Sequence, residues 1–277
     1  MKQRPVYERP SVVRHQMGLM NKFGRQQSAR VLSSIDGVSI EELVAQYGSP
    51  LFVFSERTLI ANYRDLNEAF SRRYPRVRIA WSYKTNYIEA ICRVFHREGA
   101  WAEVVSPFEY DKALRTGVAP SEIHFNGPYK TDAALMQAAN SGTIVHVDNF
   151  DEIARLEDIA RQSGRKPRVA VRVNMEIDGQ QAWSRFGLNL ESGQARDAVR
   201  RVLSSGVLEL VGLHTHIGTY VQEAAAYGAA AFKLARFANE LRSEHGVILS
   251  FLDLGGGFVS ANSLKGQYLA GEQAHTP

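Results

Sequence analysis

The sequence contains a single cysteine among 277 residues, so it cannot form an internal disulfide bond. That cysteine, Cys92, lies in residues 88–95, where apolar side chains recur at the spacing of an amphipathic helix. We expect Cys92 to pack in a core. We also expect the protein to reside in the cytoplasm, where thiols stay reduced.

Long hydrophobic runs are also missing. No stretch approaches the roughly 18 uncharged apolar residues that a membrane-spanning helix requires, and residues 1–10 lack the apolar centre of a signal peptide. The net charge of +4 is small, and the densest basic cluster, residues 72–76, is typical of a solvated loop. We therefore expect neither a membrane nor a nucleic acid as a partner.

From Val77 onward, short apolar runs alternate with helical patterns, which is typical of βαβ units and a parallel sheet. The seven predicted strands span residues 78–83, 102–105, 123–126, 143–147, 168–173, 208–216 and 248–254. The helical patterns between them span residues 108–116, 131–140, 150–163, 192–204 and 224–244. A (β/α)8 barrel needs eight strands and an open doubly wound sheet does not, so the count alone leaves both folds open.

The first part of the chain has a different character. Residues 1–34 are basic and irregular, and we treat them as an N-terminal extension of undefined role. Within residues 35–55, the pattern predicts a helix with Ser39 as its N-cap and Gly48 just past its end. Residues 51–54 predict a short strand that precedes the first βα unit.

Every predicted strand ends in polar or glycine-rich residues. Because the carboxyl ends of parallel strands meet at one edge of an α/β protein, we expect these residues to form a single site. In strand order they are Lys84, Glu103, Asn126, Asp148, Arg172 with Asn174, His214 with His216 and Thr219, and Asp253 with Gly255, Gly256 and Gly257. The pattern indicates a site without indicating its chemistry.

Lys84 is the most informative of these residues. A lysine at the end of a buried strand is costly to desolvate, so it needs a partner or a task. Partial burial favours the neutral, nucleophilic amine, which is the form that makes Schiff bases with carbonyl compounds. A surface lysine just past a strand is the plain alternative.

Two further motifs leave alternatives open. The three glycines at 255–257 could wrap an anion with their N–H groups, because no Cβ blocks close approach. A flexible turn explains them equally well. His214 and His216 alternate along one strand and so point the same way. They could form a structural pair or a surface on which a flat ligand packs. They could also form a metal pair, although no third ligand stands at an obvious spacing.

Taken in order, seven motifs resemble one enzyme family. They are WSYKTN (81–86), EVVS (103–106), FNGP (125–128), VDN (147–149), VRVN (171–174), GLHTHIGT (212–219) and LDLGGGF (252–258), and SRFG (184–187) stands where the family usually has Lys-Phe-Gly. Over residues 36–260 the chain resembles the fold-type III enzymes that use pyridoxal 5'-phosphate (PLP). That family comprises the diaminopimelate, ornithine and arginine decarboxylases with an alanine-racemase-like barrel, and the diaminopimelate branch is most similar.

The resemblance implies an α/β fold with a PLP-binding (β/α)8, or TIM, barrel over residues 56–262. Among the matching positions, Lys84 would bind PLP covalently and His216 would stack on its ring. Thr219 and the three glycines at 255–257 would hold the phosphate. Arg172 would lie near the phenolic oxygen of the cofactor, and Glu103 near the ring and the lysine. The implied partners are a small amino-acid substrate and a second copy of the full-length protein.

The sequence departs from the family at its end. The family has an eighth strand ending in Glu-Pro-Gly-Arg, followed by a C-terminal β-domain, and neither is found up to Pro277. We therefore expect a barrel without its last strand and a truncated tail at 263–277. On this reading the chain is an N-terminal fragment, inactive alone, of an enzyme that decarboxylates a basic or diamino acid. The alternatives are a PLP-binding carrier barrel and an amino-acid racemase, and the substrate cannot be read.

Overall fold

The computed structural model describes residues 32–180 and 185–259. The predicted extension at 1–34 and tail at 263–277 therefore lie wholly or almost wholly outside the described residues, as does Ser184 of the SRFG motif. The described part begins with an antiparallel hairpin of β1 (Ser34–Ile35) and β2 (Val38–Ser39), followed by helix α1 (Ile40–Tyr47).

The segment around α1 confirms one prediction and corrects another. Ser39 caps the helix, because its Oγ accepts the N–H of Glu41 at 3.2 Å, and Gly48 follows the helix end with φ +83°. The strand predicted at residues 51–54 is wrong: these residues form no strand and their side chains are exposed. A β-strand requires a hydrogen-bonded neighbour, and an apolar run in the sequence does not supply one.

The rest of the described chain alternates strands and helices as predicted. The helices are α2 (Glu56–Ser71), α3 (Glu89–Arg97), α4 (Pro107–Arg115), α5 (Asp132–Ser141), α6 (Phe150–Ser163), α7 (Gln194–Ser205) and α8 (Ala224–His245). The strands are β3 (Ala80–Ser82), β4 (Trp101–Val104), β5 (Ile123–Phe125), β6 (Ile144–Val147), β7 (Arg168–Asn174), β8 (Leu188–Asn189), β9 (Glu209–His214) and β10 (Phe251–Asp253). Helix α2, the hairpin of β1 and β2, and the two-residue β8 were not predicted.

The strands form one parallel sheet in the order β10-β9-β7-β6-β5-β4-β3, with β8 pairing to β7 off this path. The chain thus returns to the same end of the sheet before each new strand, which places all carboxyl ends on one edge. None of the described helices combines the length and apolar character needed to cross a membrane.

The sheet curls strongly. His124 on β5 and Phe251 on β10 are four steps apart in the sheet order, yet their ring centroids lie 4.9 Å apart. In a flat sheet, strands about 4.8 Å apart would separate the two rings by roughly 19 Å. The rings meet only because the sheet wraps around them. This excludes the open doubly wound sheet and confirms the barrel-type fold, although β3 and β10 do not pair within the described residues.

The interior of the curl is tightly filled. Gly212 on β9 is the register partner of Phe251, and a Cβ on Gly212 would lie 2.4 Å from the Phe251 ring. The ring therefore occupies the volume that a side chain at position 212 would take. His146 stacks on the same ring with a centroid distance of 6.1 Å.

Polar residues after the strands also start the helices. Ser106 caps α4 by accepting the N–H of Glu109 at 3.3 Å, and Asn149 caps α6 by accepting the N–H of Glu152 at 2.9 Å. These caps satisfy N–H groups that have no partner within the helix. Part of the polar pattern at the strand ends is therefore explained by helix capping alone.

A buried ion pair fixes the ends of β5 and β6. Lys130 and Glu152 both have fully buried side chains, and Lys130 Nζ lies 2.9 Å from each carboxylate oxygen. The same ammonium donates to the carbonyl oxygens of Gly127 and His146, each at 2.9 Å. All its donors are used, so the cost of burying the charge is compensated by hydrogen bonds.

Candidate functional site

Lys84 lies at the carboxyl edge of the sheet, two residues beyond the end of β3. A turn holds it there, since Thr85 donates to the carbonyl oxygen of Ser82 from both its N–H, at 3.1 Å, and its Oγ1, at 2.7 Å. The side chain of Lys84 is exposed, so the partial burial that we predicted for it is wrong. Its position at a strand end is as predicted, and its amine is open to a ligand.

His216 faces the same edge and carries a neutral ring. Burial, followed by the nearby charge of Lys84, lowers the pKa of His216 to about 4. The N–H of Gly256 donates to its Nδ1 at 3.4 Å, so this nitrogen is an acceptor and the ring is tied to the glycine loop. A neutral, partly buried imidazole presents a flat surface without a competing charge.

The three glycines of the loop after β10 differ in what they require. Gly255 and Gly257 have φ values of +69° and +87°, and a Cβ on them would lie 2.5 Å from Thr215 O and 2.0 Å from Gly218 O respectively. These two positions need glycine for the turn itself. A Cβ on Gly256 would meet nothing within 4 Å. The open space lies at Gly256, so this glycine is the one that a ligand could contact.

The loop after β10 touches the loop after β9. The N–H of Val221 donates to the carbonyl oxygen of Gly257 at 2.9 Å, and Val221 forms a parallel bridge with Phe258. Thr219, which is exposed, lies in this second loop directly after Gly218. The predicted phosphate-binding residues thus occur on two loops that are joined through their backbones.

Arg172 at the end of β7 has a buried partner. Its NH1 donates to Asp148 Oδ1 at 3.1 Å, both side chains are buried, and the guanidinium lies 4.9 Å from the Phe186 ring centroid. Gly187 is required beside it, because a Cβ there would lie 2.9 Å from Arg172 O. The arginine is therefore fixed at the strand ends by an ion pair and a ring.

Glu103 at the end of β4 is buried and accepts two hydrogen bonds. Ser82 Oγ donates to its Oε2, and Asn126 Nδ2 donates to its Oε1 at 3.2 Å. Ser82 precedes Lys84 by two residues, so the carboxyl group is held against the strand that carries the lysine. The predicted place of Glu103 near the cofactor ring and Lys84 stays a prediction.

Sequence reasoning missed a polar cluster inside the curl. His124 Nδ1 lies 2.8 Å from His146 Nε2, and His214 Nδ1 lies 2.8 Å from Asp253 Oδ2. Burial lowers the pKa of His124 and that of His146, so both imidazoles are neutral. The sequence did contain an indication of this cluster. In each strand that contributes to it, a polar residue stands two positions before the strand-end residue, and residues two positions apart lie on the same face of a strand.

The predicted alternative of a metal pair formed by His214 and His216 is not supported. Both ring nitrogens of His214 already have partners, because Nδ1 lies 2.8 Å from Asp253 Oδ2 and Nε2 lies 3.1 Å from Asn126 Nδ2. A different trio, His124, His146 and Asp253, brings donor atoms within 4.8 Å of one another. The 2.8 Å between the two histidine nitrogens is a hydrogen-bond distance. This trio is therefore described as a hydrogen-bonded cluster.

The curled parallel sheet with a lysine, a neutral histidine and a glycine loop on one edge defines a cofactor-binding α/β barrel. A family model described as "Pyridoxal-dependent decarboxylase, pyridoxal binding domain" matches residues 58–275. The chain belongs to this family, and the match confirms PLP as the cofactor expected from the sequence.

The relatives found by sequence and by structure agree with the family. The chain is 32% identical over 234 residues to the diaminopimelate decarboxylase of Bacillus subtilis, covering 81% of this chain and 53% of the relative. The crystal structure of diaminopimelate decarboxylase from M. jannaschii in complex with L-lysine superposes with a TM-score of 0.78 at 29% identity, covering 87% of this chain and 58% of that one. The chain thus spans about half the length of the curated relatives it matches.

A third neighbour supports the fold alone. The lysine/ornithine decarboxylase from Vibrio vulnificus, solved with putrescine, superposes with a TM-score of 0.64 at 23% identity, covering 79% of this chain and 56% of that one.

Proposed function

We infer that this chain supplies the PLP-binding part of a decarboxylase that acts on a diamino or basic amino acid, with diaminopimelate as the first candidate. The observation that carries this function is the grouping of an exposed Lys84, a neutral His216 and the unobstructed Gly256 at one sheet edge. The relatives named above are decarboxylases, which favours this reaction over racemisation or PLP carriage.

The residues present fit PLP. An aldehyde needs an accessible amine, which Lys84 provides, and a planar ring needs a flat neighbour, which His216 provides. A phosphate needs N–H donors that no Cβ obstructs, and Gly256 offers space there, with Thr219 on the adjoining loop. When bound, PLP takes up the electron pair that the departing CO2 leaves on the α-carbon of the substrate.

The chain's own groups would hold and orient the cofactor. Lys84 would bind its carbonyl carbon, and Lys84 and His216 are the residues we assign to catalysis. Arg172, fixed by Asp148, would direct positive charge towards the phenolic oxygen. Glu103, held by Ser82 and Asn126, would lie near the ring and the lysine. The homodimer, the cytoplasmic location and the barrel domain at residues 56–262 stay predictions.

The test is covalent labelling followed by turnover. Incubation with PLP, reduction with borohydride and peptide mass spectrometry should place the pyridoxyl group on Lys84, and the Lys84→Ala variant should lose it. CO2 release from diaminopimelate, lysine, ornithine and arginine is then measured for the longest available form of the protein. A label on another lysine, with Lys84 unmodified, would contradict the assignment.

A further inference from the structure

A continuous hydrogen-bonded chain runs from the glycine loop across the inside of the sheet to the strand that precedes Lys84. Asp253 Oδ2 lies 2.8 Å from His214 Nδ1, and His214 Nε2 lies 3.1 Å from Asn126 Nδ2. Asn126 Nδ2 continues to Glu103 Oε1 at 3.2 Å, and Glu103 Oε2 accepts the hydroxyl of Ser82. These five residues come from five different strands or strand ends, β10, β9, β5, β4 and β3, and form one path.

The order of donors and acceptors along this path is set by Asp253. Its Oδ1 accepts the N–H of Gly255 at 2.8 Å, so this oxygen faces a donor. Burial acts to raise the pKa of Asp253, but the contact and hydrogen bond with His214 outweigh it and hold the pKa well below its usual range. An ionised carboxylate can only accept hydrogen bonds. His214 must therefore carry its proton on Nδ1, and its Nε2 is left as an acceptor.

That tautomer orients the next residue. The two hydrogens of the Asn126 amide point at two acceptors, His214 Nε2 and Glu103 Oε1. In consequence the carbonyl oxygen of Asn126 is buried without a hydrogen-bond partner. A buried unpaired carbonyl is costly and calls for an explanation. Reversing the amide would satisfy that oxygen only by turning it against the oxygen of Glu103, which explains the observed orientation.

We propose that Asp253 is a positioning residue: it fixes the tautomer of His214 and, through Asn126, the orientation of the Glu103 carboxyl group beneath the PLP site. The same carboxylate holds Gly255, the neighbour of Gly256. The side chain of Asp253 thus orients both Asn126 and Glu103 and the glycine loop that would face the phosphate. The relevance to PLP rests on the proposed function, whereas the tautomer itself does not.

The variant Asp253→Asn should reverse the order of donors and acceptors, because the N–H of Gly255 determines the orientation of the new amide. The asparagine oxygen should stay on the Gly255 N–H, which turns its NH2 group towards His214 Nδ1. That nitrogen must then accept, so the proton moves to Nε2 and the Asn126 amide has to reverse. The carbonyl oxygen of Asn126 then meets Glu103 Oε1, and the path is broken at that point.

The first measurement is the tautomer of His214 in the chain without PLP. Long-range proton–nitrogen NMR spectra of 15N-histidine-labelled protein give the tautomer, and the signal is assigned by its loss in His214→Gln. We expect the proton on Nδ1 in the wild type and on Nε2 in Asp253→Asn. A wild-type proton on Nε2, or an unchanged tautomer in a folded Asp253→Asn, would overturn the proposal. The wild-type spectrum decides even if the variant does not fold.

The second measurement is a double-mutant cycle on PLP affinity. Asp253→Asn should weaken PLP binding roughly tenfold, on the scale of one lost charge-assisted hydrogen bond. Adding Glu103→Gln gives Asn126 O a donor and should recover most of that loss, whereas a merely structural role for Asp253 predicts additive losses. The two proposals can fail separately. If Lys84 is not labelled and the tautomer is as expected, only the proposed function is rejected. If Lys84 is labelled and the tautomer is the opposite one, only the positioning role of Asp253 is rejected.

Discussion

A Cβ on Gly257 would lie 2.0 Å from the carbonyl oxygen of Gly218, so the loops after β9 and β10 touch backbone to backbone at this point. This contact separates the glycines into two kinds. Gly257 closes the contact between the loops, and Gly256 faces open space. Substitutions at the two positions should therefore fail in different ways.

Gly257→Ala should destabilise the fold itself. The new Cβ collides with backbone, and φ of +87° is strained for alanine, so we expect a loss of at least about 2 kcal/mol in the free energy of unfolding. Urea denaturation measures this loss. A stability equal to that of the wild type would show that the two loops can separate freely.

Gly256→Val should leave the stability nearly unchanged and weaken PLP binding. A Cβ at this position meets no protein atom within 4 Å, but the valine side chain would stand where the phosphate is expected, so we predict a loss of roughly tenfold or more in affinity. PLP titration followed by absorbance gives the affinity, and urea denaturation serves as the control. An unchanged affinity in the folded variant would mean that the loop is only a turn.

His216 should act through its flat shape rather than its charge, since its ring is neutral at pH 7. His216→Phe should therefore retain PLP better than His216→Ala, because phenylalanine keeps a planar surface and alanine does not. Dissociation rates of PLP from the two variants give the comparison. Equal losses would place the histidine away from the cofactor ring.

The stability of the chain should fall in mild acid. The pKa of His216 is depressed to about 4 in the folded state and lies near 6.5 in the unfolded state. The unfolded chain therefore binds a proton first, so this contribution is fully present above about pH 6.5 and is lost as the pH falls towards 4. It amounts to at most about 3 kcal/mol. Between pH 7 and 4, the urea midpoint of the wild type should fall further than that of His216→Gln, which cannot take up this proton.

The buried ion pair gives a prediction about folding alone. Lys130→Met leaves Glu152 buried without its cation and should cost about 3–5 kcal/mol in the free energy of unfolding. The double variant Lys130→Met/Glu152→Leu should cost less than Lys130→Met alone, because no uncompensated charge remains. Urea denaturation of the three proteins tests this. A double variant that is the least stable of the three would contradict the argument.

Much of the site could be predicted because the carboxyl ends of parallel strands share one edge. Lys84, Glu103 and Arg172 were placed there from the alternation of strands and helices alone. The burial of Lys84 was predicted wrongly, since β3 ends earlier than its apolar run and the turn at Thr85 carries the lysine outwards. Strand position follows from the pattern, whereas exposure depends on how the loop leaves the sheet.

The links between strand ends could not be read from the sequence. Asn126 and His214 are hydrogen-bonded across 88 positions, and they meet only because the sheet curls. The sequence pattern gives the order of strands along the chain without the curvature that brings β5 to β10. Likewise, the three glycines look equivalent as letters, and only the loop after β9 distinguishes Gly256 from its neighbours.

The Phe251 ring occupies the space beside Gly212, and this restricts which substitutions the barrel can accept during evolution. One aromatic ring from β10 serves as the missing side chain of β9, so the two positions behave as a single unit of volume. Enlarging residue 212 is compatible with the fold only if residue 251 shrinks in the same step or an earlier one. Two substitutions that are each harmful alone should therefore be tolerated together, and their order of appearance is constrained: the side chain at 251 must shorten before residue 212 enlarges, or together with it.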